Sequence, residues 1–159
     1  MTALRPPRHR PDPRAVWWWT LQWLVFAAVL AVVAGALWVL LDPWWPAAAG
    51  GALTALVLVA AVVAPRAQYR FQRWEVTDQA VYTRKGWLWH TWRVAPMSRV
   101  QTVDTEQGPL QRAFGLANVK VTTASAQGAV MIEALDHGLA AELADKLTAI
   151  THATPGDAT

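Results

Sequence analysis

The side chains that do chemistry are sparse in this sequence and stand apart from one another. The histidines are His9, His90, His137 and His152. None has the close spacing of a metal site, and none falls into a pattern with a nucleophile and an acid. Each reads as a solvated or hydrogen-bonded side chain. There is no Cys, which removes disulfides, thiol nucleophiles and thiolate metal sites together and fits a reducing compartment. The glycines form neither a phosphate loop nor a dinucleotide fingerprint. The sequence therefore assigns no catalytic residue, cofactor or metal ligand, and it reads as a non-enzyme.

What remains is binding chemistry, in two clusters. The first is basic and aromatic: Arg66, Arg70 and Arg73, then Arg84, Lys85, Trp87, Trp89 and Trp92. A Lys or Arg beside an anionic leaflet contributes ~1 kcal/mol, and indoles favour the membrane interface. The competing reading has the first three arginines only setting membrane topology and alternate tryptophans packing a core. The second cluster is Arg99, Gln101, Gly108, Pro109, Gln111 and Arg112. It reads either as a surface that docks a protein, or as a structural set in which Arg99 pairs with Asp104 or Glu106 and Gly-Pro shapes a turn. The candidate lipid or partner surface is thus Arg70, Arg73, Arg84, Lys85, Trp87, Trp89, Arg99, Gln101 and Arg112. A nucleic-acid partner is excluded, because the net charge of +3 leaves no basic stripe once the flanks of the apolar runs are set aside.

The elements that must carry these residues begin in a membrane. Between Ala15 and Ala64 the one charged residue is Asp42. The first apolar run, about 16–41, holds ~25 residues, enough to cross a ~30 Å hydrocarbon core with tilt. The second, about 47–64, holds ~18 and is near the lower limit. Asp42-Pro43-Trp44-Trp45-Pro46 supplies a turn between them. Arg8, Arg10 and Arg14 precede the first run, Arg66, Arg70 and Arg73 follow the second, and the loop between has no Lys or Arg. The positive-inside rule then places both termini in the cytoplasm, with the protein in the cell (inner) membrane. Arg14, Trp17, Trp18, Trp19 and Arg66 are expected at the inner interface, and Trp44 and Trp45 at the outer one. A cleaved signal peptide is the competitor, but the first run is too long and stays apolar past Ala34-Gly35-Ala36. Small residues at Ala27, Ala31, Gly35 and at Ala47, Gly51, Ala55 suit close packing of the two helices, or else reflect abundant Ala. Neither run contains an ionisable side chain, which argues against a channel or transporter.

After Pro65 the pattern changes to short strands: 69–77, a hairpin of 80–85 and 87–94 around Lys85-Gly86, then 99–103, 119–123 and 129–135. Gln107-Gly108-Pro109-Leu110 and Ser125-Ala126-Gln127-Gly128 read as turns. Leu139, Leu143, Leu147 and Ile150 mark one face of a last helix, with Asp136 as its cap. The organisation expected is a basic cytoplasmic tail at 1–14, two transmembrane helices within 15–64, a soluble domain at 66–151 and a disordered tail at 152–159.

Several segments carry a family resemblance. They are Glu75-Val76-Thr77-Asp78, Arg84-Lys85-Gly86, Pro96-Met97-Ser98-Arg99-Val100-Gln101-Thr102-Val103, Gly108-Pro109-Leu110-Gln111-Arg112 with Gly115-Leu116, and Val119-Lys120-Val121-Thr122-Thr123. With two preceding spans, this pattern resembles the bacterial membrane proteins that carry a pleckstrin-homology (PH)-like domain, of the YdbS-like type. The resemblance covers nearly the whole chain. It implies an α+β membrane protein: a two-helix transmembrane hairpin, then a small antiparallel β-barrel or split sheet capped by a C-terminal helix. It implies no established catalytic activity. The function expected is a membrane-anchored, non-catalytic module whose cytoplasmic PH-like domain engages a protein partner or self-associates, possible partners including another membrane protein with such domains. Recognition of anionic membrane lipid by the basic and aromatic hairpin is the alternative.

Overall fold

The computed structural model describes residues 7–41, 44–86, 89–125 and 128–153. Arg5, the Asp42-Pro43 turn, Trp87, residues 126–127 of the second expected turn and the tail from 154 lie outside the described residues. The chain forms two compact units. One is Val16–Ala67; the other joins the stretch up to Ala15 to the chain from Gln68 onward.

The first unit is built on two helices, α1 (Arg14–Leu41) and α2 (Trp44–Phe71), of 28 residues each. At ~1.5 Å rise per residue each is ~42 Å long, more than the ~30 Å of a bilayer core. Asp12 starts α1: its carboxylate accepts the Arg14 N–H at 2.8 Å and its carbonyl accepts the Ala15 N–H at 3.0 Å, with Pro13 at the first helical turn. Large apolar side chains such as Val32, Val39, Leu40 and Leu56 point outward, the arrangement a helix needs in lipid, where its backbone is satisfied internally. The expected small-residue seams do not join the helices at their glycines. A Cβ on Gly35 or Gly51 would meet nothing within 4 Å, whereas one on Gly50 would come within 2.4 Å of the Ala34 Cβ. The close approach is therefore Gly50 on Ala34. The seam positions Ala31, Gly35, Ala47, Gly51 and Ala55 instead line an open groove of about 350 Å³.

Helix α2 runs through Pro65 to Phe71, so Tyr69, Arg70 and Phe71 are helical where a strand was expected. A helix already nucleated in the apolar run propagates at low cost. At its end Arg73 Nη1 donates to the carbonyls of Gln72 at 2.9 Å and Tyr69 at 3.4 Å, placing a cation on the last turn.

In the second unit, β1 (Arg73–Val76), β2 (Ala80–Lys85) and β3 (Thr91–Pro96) form one antiparallel sheet. Strands β4 (Val100–Glu106), β5 (Leu116–Thr123) and β6 (Val130–Asp136) form another, also antiparallel. The sheets stay separate, so the split sheet is the form adopted and no barrel closes. A 3-10 turn, Met97–Arg99, carries the chain from one sheet to the other with Met97 buried. Burial alternates along β5 as a strand with one covered face requires. Val119, Val121 and Ile132 pack with Trp74, Val81 and Ala95 of the first sheet and with helix α4 (His137–Ala153). Each such side chain, fully buried, contributes ~1.5–3 kcal/mol.

Asp136 caps α4, accepting the N–H of Gly138 at 2.9 Å and of Leu139 at 3.4 Å. The buried stripe is Ala140, Leu143 and Leu147 with Ile150 half-buried. Leu139 is exposed, so the covering face is turned by one residue from the leucine pattern. The expected Gly108-Pro109 turn opens a short helix, α3 (Pro109–Ala113), with Pro at its first position.

Candidate functional site

Strand β2 sorts the basic residues of the first cluster. Side chains alternate along a strand, so Arg84 and Lys85 face opposite ways. Thr83, buried, points inward with Lys85; Arg84 points outward with Tyr82. Lys85 Nζ lies 2.5 Å from the Glu133 carboxylate of β6. Thr83, Lys85, Thr91, Arg93, Ala129, Met131 and Glu133 line a groove of about 400 Å³ there. Arg93 Nη1 donates to the Ala129 carbonyl at 3.0 Å. This is the mouth left where the two sheets do not close.

The outer face is different. Arg73 lies opposite Arg84, and Arg84 opposite Trp92. The Arg84 guanidinium sits 5.3 Å from the centre of the Trp92 ring, a cation–π contact. Partial burial, then the nearby Arg10 and Arg84, lower the Arg73 pKa from the ordinary guanidinium value. Gly86, just past β2, sits at φ +95°, where a Cβ would lie 1.8 Å from the Trp89 carbonyl oxygen. Trp89 is 85% exposed, so it does not pack a core. His90 meets Phe71, the last residue of α2, edge to face at 6.0 Å.

The second cluster comes apart. Arg99, Gln101 and Arg112 are exposed, but Gln111 is buried. Its Oε1 accepts the Gly108 N–H and its Nε2 donates to Asn118 Oδ1, both at 2.9 Å. Asn118 Oδ1 also accepts the Ala134 N–H at 2.9 Å. Neither acid expected beside Arg99 pairs with it: Glu106 binds Lys120 at 2.9 Å, and Asp104 accepts from Thr102. The Gly-Pro-Leu-Gln segment is thus a structural knot holding α3 on β5 and β6.

That knot also holds something the sequence did not announce. Residues 7–14, read as a tail, lie on the soluble unit as a strap. His9 and Trp74 pair as an antiparallel bridge, and the Trp74 indole donates to the Arg10 carbonyl at 3.1 Å. The Asp12 N–H donates to the Ala134 carbonyl at 2.8 Å. The Arg14 guanidinium binds Asp12 at 2.9 Å and Asp136 at 2.5 Å, and donates to the Phe114 carbonyl at 3.2 Å. These hydrogen bonds to Arg14 hold both carboxyls below their ordinary pKa.

Of the other residues expected at membrane interfaces, Trp17, Trp44 and Trp45 are exposed, Trp18 is half-buried and Trp19 is buried. Arg66, exposed, donates to the Val62 carbonyl at 2.6 Å, and Arg70 is exposed. Among the described residues no three His, Cys, Asp or Glu side chains converge on a point a metal could occupy.

A membrane hairpin, two split three-stranded sheets and a covering C-terminal helix define an α+β membrane protein with a PH-like soluble unit. The chain belongs to the bacterial PH domain family, whose pattern matches residues 15–151. It is also 31% identical over 156 residues to the UPF0699 transmembrane protein YdbS of Bacillus subtilis (strain 168), across 95% of this chain and 97% of that protein. No solved structure gives a significant match. The protein is therefore a transmembrane protein with a bacterial PH domain.

Proposed function

We propose that this protein is a membrane-anchored, non-catalytic module that holds its PH domain on the cytoplasmic side for a protein partner: another membrane protein with such domains, or a second copy. The observation that carries this reading is the groove between the sheets, whose lining joins apolar surface to the polar groups of Thr83, Lys85, Thr91, Arg93 and Glu133. An open mouth between two strand systems suits an extended segment of a partner, which gains main-chain and side-chain contacts together. The non-catalytic reading is supported by the pairing of Lys85 with Glu133, which neutralises the acid and base that meet there. The cytoplasmic placement rests on the arginines flanking both helices. The His9–Trp74 bridge supports it too, since it brings the chain before α1 and the chain after α2 to one side. The second reading, recognition of anionic lipid, uses the opposite face of the same sheet and stands separately.

The test is purification of the intact protein in mild detergent with a photo-crosslinking residue at Met131. A discrete adduct, to a partner or to a second copy, is expected. A strict monomer with no adduct would overturn the proposal.

A further inference from the structure

The strap extends the row of cations on the outer face of the first sheet. His9 is bridged to Trp74 in antiparallel sense, so the next step along each strand sets Arg10 opposite Arg73. Arg73 pairs with Arg84, and Arg84 with Trp92. Trp74 and Thr83 are buried, and the alternation of a strand sends their neighbours Arg73 and Arg84 to the outside. The four ion pairs among the described residues involve Arg14, Lys85 and Lys120, and none reaches this row. Glu75 shares the face one row further on, opposite Tyr82, and is in none of the four pairs. Like charges directly opposite one another destabilise a sheet, and here they stand without a counter-charge.

Two of these guanidiniums are held in place. Arg73 uses Nη1 on the end of α2 and, among the described residues, makes no hydrogen bond with its other nitrogens. Arg84 is fixed over the Trp92 ring, and its Nε is shut away from water with no acceptor. An oxyanion presents several acceptor oxygens in the geometry a guanidinium fork matches.

We infer that Arg10, Arg73 and Arg84, with Trp92 as their floor, form a binding site for the phosphate of an anionic lipid headgroup. The source is argued from tether length. Phe71 is seven residues beyond Ala64, the end of the uncharged run, and a helix spans that in ~10 Å. The headgroup layer begins where the hydrocarbon ends. His90 rests on Phe71 and brings the exposed Trp89 indole to the same level, where indoles partition. The inference stands whether or not the groove on the inner face takes a protein.

The test uses the full chain, labelled with 15N-arginine, in zwitterionic micelles. Its arginine Nε–H resonances are followed as dihexanoyl phosphatidylglycerol is added, with dihexanoyl phosphatidylcholine and inorganic phosphate in parallel. A saturable shift of the Arg84 resonance, assigned by its loss in Arg84→Lys, is expected with phosphatidylglycerol. It should be weaker with phosphate and absent with phosphatidylcholine. Arg10→Gln changes an exposed side chain whose backbone carries the strap contact, and Arg73→Gln removes a second cation. Each should weaken binding about tenfold, the loss of one charge-assisted hydrogen bond, while Lys120→Gln leaves it unchanged. No saturable shift, an equal response to phosphatidylcholine, or equal weakening by Lys120→Gln would overturn the site. Binding of inorganic phosphate as tight as the lipid would overturn the headgroup assignment.

Discussion

His9 and Trp74 exchange both backbone hydrogen bonds, each 3.0 Å from N–H to carbonyl oxygen. The segment that precedes the first membrane helix is thereby fastened to the strand that follows the second, and the soluble unit is gripped from both ends of its anchor. Arg14 closes the grip through Asp12, Asp136 and the Phe114 carbonyl.

Arg14→Gln should loosen the strap without unfolding the domain. The Arg14 side chain is half-exposed in both ion pairs, so solvent screens them and their loss costs little. Amide exchange at His9 and Asp12 should therefore quicken modestly, while the β5 amides of Val119 and Val121 keep their rates. Equal acceleration in β5 would show that the strap and core open together.

The same grip should weaken in acid. Hydrogen bonds to Arg14 lower the folded pKa of Asp12 and Asp136 below the ordinary carboxylate value of 3.8. A lowered folded pKa contributes stability that is complete above the unfolded value and is lost as pH falls through the folded one. Exchange at Asp12, corrected for its intrinsic pH dependence, should stay flat from neutral pH to the carboxylate range and rise below it. A rise already complete well above the carboxylate range would show that these two carboxyls do not control the strap.

Gly50 and Gly51 predict opposite outcomes for one substitution. A side chain at Gly50 collides with the Ala34 Cβ, whereas Gly51 opens onto free space. Gly50→Val should force the helices apart, at the ~1–3 kcal/mol typical of overpacking, and lower the melting temperature of the protein in detergent. Gly51→Val should leave it within about 0.5 kcal/mol of the parent. If Gly51→Val instead disrupts a purified oligomer, its seam is a lateral contact between copies.

The anchor was legible because fifty residues with one charge, Ala15 to Ala64, admit few readings. The strands of the second sheet were legible from β-branched residues at alternate positions around Val119, Val121 and Ile132. The strap was not. Residues 7–13 hold Pro7, Pro11 and Pro13 and no apolar period, and their contacts are mostly backbone hydrogen bonds, which leave no mark on side-chain type. Helix α3 was hidden because Gly-Pro serves equally to begin a turn or a helix. The buried face of α4 was displaced because Ala140, fully buried, has too small a side chain to stand out beside Leu139. Of the candidate surface, Arg84 and Lys85 were found but joined; only the register of β2 separates a free outward cation from a paired inward one.

That separation makes a fourth prediction. Lys85→Met should disturb the groove and spare the outer face. The Lys85–Glu133 pair is partly exposed, so a double-mutant cycle with Glu133→Gln should return a coupling of ~0.2–1 kcal/mol. Partner crosslinking from Met131 should fall, while the Arg84 Nε–H response to phosphatidylglycerol persists. Loss of both together would mean that the two faces of the sheet do not act independently.

Asn118 carries the last prediction. Its Oδ1 accepts the Gln111 side-chain amide and the Ala134 backbone N–H. Ala134 is fully buried and held at φ +57°, a left-handed conformation that is uphill for a residue with a Cβ. The Asp12 N–H binds the carbonyl of that same residue, so Asn118 supports both α3 and the strap through one strained peptide. Asn118→Ala strands a buried amide and a backbone donor. Each stranded group costs ~1–3 kcal/mol, and a domain of this size loses ~4–8 °C in melting temperature per kcal/mol. Asn118→Asp keeps an oxygen able to accept both hydrogen bonds and should recover most of the loss. If Asn118→Asp melts as low as Asn118→Ala, the two donors are not what Asn118 is there to satisfy.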